Sequence, residues 1–276
     1  MTWVAGLLGG AAATWAVRAI ARRLGIVAKP NPIVPQHQKP TAYLGGVGIA
    51  LGFALVLAAG RLALDRLTVA FVVPAAGYLA LGLVDDLKPL RAWPKLVVQT
   101  ALAALAVALG AGARVTGIAA LDAAFAVMWM VLLVNAVNVT DVCDGLAGGM
   151  AAIGLLTLGW LAPSVRPAAW GLAGACVGFL VFNRPPASIF MGDAGSLLLG
   201  FALAAFSLPV IERAGPWPGV PMALAASAWF VFEVALLIYV RRRKGLPFWK
   251  GSPDHFSLRM QAAGWSKWRT VMTTWA

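Results

Sequence analysis

Nine apolar stretches, separated by short polar connections, recur along this chain from its first residues to residue 240. They fall at residues 3–20, 43–59, 67–84, 96–111, 123–139, 146–161, 168–182, 194–211 and 220–240. About 20 apolar residues cross a bilayer as a helix, and in lipid only helices and closed barrels satisfy every backbone hydrogen bond. A soluble domain could not conceal the apolar surface of a 276-residue chain that is 61% hydrophobic and only 12% charged. The expected fold class is therefore all-α: a polytopic transmembrane helical bundle of about nine complete spans in a single domain over residues 1–276. Residues 268–276 read as the start of a tenth span, cut short at the C-terminus. The first stretch reads as an anchoring span rather than a signal peptide, because Arg18, Arg22 and Arg23 follow the apolar run instead of preceding it.

Loop charge sets the expected orientation. Odd-numbered connections carry Arg22, Arg23, Lys29 and Lys39, then Lys88, Arg91 and Lys95, then Arg184, and finally Arg241, Arg242, Arg243, Lys244, Lys250, Arg259 and Lys267. Even-numbered connections carry only Arg61, Arg66, Arg114, Arg166 and Arg213. The positive-inside rule then puts the N-terminus outside and the odd connections in the cytoplasm. The same asymmetry accounts for the net charge of +12, so no nucleic-acid partner is expected. Cys143 and Cys176 have neither metal-ligand spacing nor the pattern of a disulfide framework.

The acids do not follow the loops at random. Asp85 and Asp86 end the third stretch, Asp141 and Asp144 follow the fifth, and Asp193 immediately precedes the eighth. All lie on the basic side, with Asp254, whereas Asp65, Asp122 and Glu212 fall in outer connections and Glu233 lies within the ninth stretch. Solvated helix ends would be the ordinary explanation, but acids near lipid are costly unless paired or functional.

Three segments carry chemistry. Residues 83–90 (Leu-Val-Asp-Asp-Leu-Lys-Pro-Leu) place two adjacent carboxylates where a helix leaves the membrane. Their mutual repulsion suits a hard cation, Mg²⁺ or Mn²⁺. Asn135, Asn138, Asp141 and Asp144 recur every third residue, forming a polar stripe if helical, and Gly145 then frees the backbone to turn. Such a stripe can coordinate a metal, hydrogen-bond a nucleotide, or simply cap and turn the chain. Residues 182–197 contain Pro185, Pro186, Gly192 and Gly195 before a new helix, so backbone N–H groups can meet a phosphate while Asp193 holds a metal against it. Phe190 could stack on a base. The basic segment 241–267, with His255 and Arg259, either clamps anions or only satisfies the charge rule. Together these are the parts of a phosphoryl-transfer site at the membrane surface.

Taken in order, residues 39–46, 83–90, 135–147, 183–197 and 252–260 resemble the polyprenyl-phosphate N-acetylhexosamine-1-phosphate transferases. These form glycosyltransferase family 4, in the superfamily of phospho-N-acetylmuramoyl-pentapeptide transferase. The resemblance implies transfer of a sugar-1-phosphate from a UDP-N-acetylamino sugar to undecaprenyl (polyprenyl) phosphate with release of UMP. It further implies an inner-membrane bundle, a site open to the cytoplasm, a role in cell-envelope polysaccharide synthesis, and an assembly that admits a homodimer.

By position, Asp193 resembles the principal Mg²⁺ ligand. Asp85 and Asp86 resemble the paired aspartates that engage lipid phosphate and metal. Asp141, Asp144 and Asn183 resemble positions near the nucleotide, Phe190 the aromatic against uracil, and Lys39 a basic position before the Gly-Gly motif. Asn135, Asn138 and Arg259 are the further substrate-binding candidates, and Asp85, Asp86, Asp141, Asp144 and His255 make up the expected catalytic set. Val142 stands where the family commonly has Gly, and Leu258 where a second His is expected. The layout from Glu233 to His255 looks closer to the branch using simple UDP-N-acetylhexosamines. The muramoyl-pentapeptide reaction is the alternative. A membrane transporter, which would place its ionisable groups near the bilayer midplane, is the rival from another class.

Overall fold

The computed structural model describes residues 1–28, 40–60, 65–247 and 253–276, and over them the chain is almost entirely helical. In order the elements are α1 (Thr2–Arg23), β1 (Val27–Ala28), β2 (Thr41–Ala42), α2 (Gly45–Ala58), α3 (Arg66–Leu87), α4 (Ala92–Leu109) and α5 (Ala119–Thr140). There follow α6 (Leu146–Leu161), α7 (Arg166–Asn183), α8 (Gly192–Ala214), α9 (Pro216–Ala226), α10 (Ala228–Arg243), α11 (Phe256–Ala262) and α12 (Lys267–Trp275). A two-residue antiparallel ribbon, with Val27 opposite Ala42 and Ala28 opposite Thr41, departs from the all-α expectation.

Each of the nine apolar stretches contains a helix, but they differ in length and continuity. Helices α1, α3, α4, α5 and α8 are long and apolar enough to cross a membrane, and α9 with α10 makes a sixth span if the pair counts as one. This is a multi-pass helical membrane protein. The ninth stretch is not the single helix expected: it breaks at Ser227 and bends by 78°. Hydropathy is blind to such a break, since residues on both sides of it are apolar. Helix α12, where a tenth span was expected to begin, is a nine-residue helix whose Val271 packs with Cys143 and Leu146. Its Trp275 fills the space a side chain at Gly149 of α6 would need.

Helix α8 forms the centre, with 94% of its apolar window buried. Around it pack α2, α3, α5, α6 and α9, while α1 pairs with α7 on the flank. Without a hydrophobic drive in lipid, such contacts depend on close packing of small residues. A Cβ on Gly6 of α1 would lie 2.0 Å from the Gly171 carbonyl oxygen of α7, so those backbones touch directly. Between α3 and α8, Phe71 and Tyr78 stack on Phe201 at 5.6 and 4.9 Å.

Consecutive helices α3 to α8 run antiparallel, so the C-terminal ends of α3, α5 and α7 meet the N-terminal ends of α4, α6 and α8. Hydrogen bonds from Lys95 to Asn138, from Asn138 to Asp193 and from Gly145 to Asn183 join them at one end of the bundle. At the opposite end Arg114 pairs with Glu212 at 2.7 Å, and Arg66 donates to the Leu109 carbonyl.

Candidate active site

The first turn of α8 anchors the site, and three other elements hold it. The chain preceding α2 is laced to the chain preceding α8: Phe190 N–H donates to the Ala42 carbonyl at 2.9 Å, and Gly45 and Gly46 donate to the carbonyls of Phe190 and Met191, each at 2.8 Å. Leu44, at φ 74°, turns the chain from that lacing into α2. Helix α3 crosses close by, and a Cβ on Gly82 would lie 2.4 Å from the backbone of Asp193 and Ala194.

That crossing lets Asp86 cap α8. Its two oxygens accept hydrogen bonds from the N–H groups of Asp193 at 2.7 Å and Ala194 at 3.1 Å. A carboxylate at a helix N-terminus satisfies otherwise unpaired donors and complements the helix dipole. Gly192, at φ 77°, leaves space for it, since a side chain there would collide with the Asp86 carboxylate. Asp86→Ala removes the acceptor for both N–H groups, and leaving such a donor unsatisfied costs about 1–3 kcal/mol. The expected result is a lowered thermal unfolding midpoint in detergent, with Asp86→Asn, which keeps one oxygen, falling between Asp86→Ala and wild type.

Asp85 faces the other way. Its Oδ1 accepts from Leu90 N–H at 2.6 Å, closing the α3–α4 turn, and its Oδ2 lies 2.6 Å from Lys95 Nζ. The same ammonium reaches Asp193 Oδ2 at 2.5 Å and Asn138 Oδ1 at 3.1 Å. Asn138 Nδ2 donates to Asp193 Oδ1 at 2.8 Å and to Ser196 Oγ at 2.9 Å. Asp85, Lys95, Asp193 and Asn138 thus form one closed network drawn from α3, α4, α5 and α8.

Asp141 ends α5 beside this network, and among the described residues nothing donates a hydrogen bond to its carboxylate. Burial, then the charges of Asp193, Asp86 and Asp144, push its pKa up to about 8. Tyr43, just before α2, stands near the same acids, Asp86, Asp193, Asp141 and Asp85.

The other predicted residues divide into those that brace the site and those apart from it. Asn183 is buried and clamps two connections, accepting from Gly145 N–H at 2.9 Å and donating to the Ile189 carbonyl at 2.8 Å. Asn135 lies a turn deeper than Asn138 and donates to Gln99 Oε1 at 2.7 Å. Asp144 accepts from Ala187 N–H at 3.2 Å and pairs with Lys267 of α12 at 3.3 Å. Phe190 is half-buried in the lacing beside α2. His255 is buried, with Nδ1 2.9 Å from Glu233 Oε1, and Phe256 N–H donates to that same oxygen at 2.9 Å. Glu233 therefore secures the start of α11, and Arg259 on that helix is exposed. Among the described residues neither His255 nor Arg259 forms an ion pair or hydrogen bond with the aspartates of the network. Lys39 lies outside the described residues.

Sequence reasoning passed over Lys95, Tyr43 and Lys267. Lys95 read as one of three basic residues in its connection, and Tyr43 only as the first residue of the second apolar stretch. No pattern within the sequence distinguishes them, since their partners lie dozens of positions away.

Among the described residues no three side chains of His, Cys, Asp or Glu are arranged to hold a metal ion. The oxygens of Asp85, Asp193 and Asn138 nonetheless converge on one cationic nitrogen, and hard oxygen donors of this kind suit Mg²⁺.

Comparison with known proteins gives the family of the chain. The family model described as glycosyl transferase family 4 matches residues 68–211, which include Asp85, Lys95, Asn138 and Asp193. A phospho-N-acetylmuramoyl-pentapeptide-transferase of Lactobacillus gasseri is 33% identical over 241 residues, covering 77% of this chain and 72% of the relative. One from Listeria welshimeri is 37% identical over 160 residues, and there the match spans about half of each, 55% of this chain and 47% of the relative. A probable undecaprenyl-phosphate N-acetylglucosaminyl 1-phosphate transferase of Bacillus subtilis is 30% identical over 271 residues, 93% of this chain and 75% of the relative.

Proposed function

The chain belongs to glycosyl transferase family 4, and from that premise we propose that it transfers an N-acetylhexosamine-1-phosphate from a UDP-sugar to a polyprenyl phosphate such as undecaprenyl phosphate, releasing UMP. The observation that carries this reading is the convergence of Asp85, Asp193 and Asn138 on one cation position at one end of an apolar bundle. A water-soluble nucleotide and a lipid phosphate can meet there. The transporter reading is disfavoured because the carboxylates collect at helix ends, and Glu233 is committed to holding His255 and α11.

In the proposed topology all nine apolar segments traverse the inner membrane, with the N-terminus outside and the site facing the cytoplasm. A lipid phosphate oxygen attacks the sugar-bearing phosphorus. The new P–O bond forms as the bond to the bridging pyrophosphate oxygen breaks, and UMP departs with that oxygen. Asp85, Asp193 and Asn138 would hold Mg²⁺, whose charge offsets that of the pyrophosphate oxygens. Asp86 keeps the first turn of α8 in place, so that Asp193 meets the donor in a fixed position. Asp141 and Asp144 line the nucleotide side, and Phe190 supplies an apolar face for uracil.

Purified protein supplied with undecaprenyl phosphate, Mg²⁺ and UDP-N-acetylglucosamine is expected to release UMP, and chelation to stop it. A parallel panel with UDP-N-acetylgalactosamine and UDP-N-acetylmuramoyl-pentapeptide, read by product mass, assigns the branch. The muramoyl donor is included because several relatives bear that activity in their names. Absence of UMP with every donor would remove the proposal.

A further inference from the structure

Lys95 holds the position that a metal ion would need. Its ammonium has three N–H donors and three oxygen partners, Asp85 Oδ2 at 2.6 Å, Asp193 Oδ2 at 2.5 Å and Asn138 Oδ1 at 3.1 Å. The side chain is only 13% exposed. Among the described residues no other cation pairs with Asp85 or Asp193. Without Lys95, two carboxylates from α3 and α8 would face each other in a low-dielectric site, and one would be driven to neutralise or move away.

We propose that Lys95 is a resident counter-ion that keeps the metal site assembled while empty and must be displaced for a divalent cation to enter. The inference rests on the metal-dependent reading above and adds the step by which the metal arrives. A divalent ion would bind the same oxygens at about 2.0–2.1 Å, which leaves no room for an ammonium at hydrogen-bond distance from them. Like charges in one pocket repel, so occupancy by Lys95 and by metal is mutually exclusive. Lysine suits the role because its charge rides on a flexible four-carbon stem. Lys95 stands in the first turn of α4, directly after the exposed residues 91–94, so its stem lies at the rim of the site. An incoming diphosphate supplies its ammonium with a new partner, which makes metal entry easier when the nucleotide donor is present.

The test is a Mn²⁺ titration of the full chain in detergent, followed by electron paramagnetic resonance, without substrate. Lys95→Met, which removes the charge, is expected to bind Mn²⁺ about tenfold tighter than wild type or better, while Lys95→Arg stays close to wild type. Equal or weaker binding by folded Lys95→Met would overturn the proposal. Asp193→Asn separates the two levels of argument. If wild type and Lys95→Met bind no Mn²⁺ above the level of Asp193→Asn, the metal reading itself is lost. If both bind specifically but with equal affinity, only the role of Lys95 is lost. A second measurement uses the unaltered protein: Mn²⁺ at a concentration that saturates the titrated site is expected to speed acylation of Lys95 by an amine-reactive reagent, read by peptide mass. An unchanged rate would count against displacement even if Lys95→Met fails to fold.

Discussion

Asp193→Asn is expected to reduce UMP release by roughly a thousandfold, the scale seen when a charge-stabilising group is removed from a catalytic site. The substitution keeps the shape of the side chain and removes its charge. Asp193 accepts with both oxygens, Oδ2 from Lys95 and Oδ1 from Asn138. Asparagine offers one oxygen and one amide nitrogen, so one of those donors must face another donor. That mismatch costs about 1–3 kcal/mol, which lowers the unfolding midpoint without abolishing the fold. Activity and thermal unfolding measured on the same preparation separate the two effects. Wild-type turnover in a folded Asp193→Asn protein would be incompatible with a metal held by Asp193.

Gly82→Val carries the second large effect, and it acts through backbone rather than charge. The added Cβ would meet the Asp193 carbonyl carbon and the Ala194 nitrogen at 2.4 Å, and backbone atoms cannot swing aside as a side-chain tip can. Gly46 of α2 also presses on α8, with a Cβ there 2.1 Å from Gly195 N. The first turn of α8 is thus held between α2 and α3. Pushing α3 away separates Asp86 from the N–H groups it caps and Asp85 from the Lys95 network. The expected loss exceeds the ~1–3 kcal/mol typical of overpacking, and UMP release falls with it. Gly112→Ala is the control: a Cβ there meets nothing within 4 Å, so its effect should stay within about 0.5 kcal/mol. Equal stability of Gly82→Val and Gly112→Ala would show that the α3–α8 contact is not as close as described.

The pattern of apolar runs was legible because lipid imposes it: each stretch needed a helix, and each contains one. The gathering of Asp85, Asp141 and Asp193 was legible from loop parity, since alternate connections of an antiparallel bundle share an end. The every-third-residue spacing singled out Asn138 as a candidate, and the structure joins it to Asp193, but the spacing could not reveal that Asn183 and Asn135 commit their amides to internal contacts. The bend at Ser227 was hidden because hydropathy measures solvent preference and carries no information on backbone direction.

The sequence by itself determined the solvent, the helical class and the carboxylates gathered at one end, because these follow from local composition and from parity along the chain. Only the tertiary structure decided which charge meets which. Lys95 is 98 positions from Asp193 and 43 from Asn138, and nothing local marks it apart from Lys88 or Arg91. Its place among the acids depends on α4 packing beside α3 and α5 at the same end as the first turn of α8. That arrangement rests in turn on glycines close enough for backbones to touch. Long-range electrostatic pairing is a property of packing, and packing is where the sequence alone falls silent.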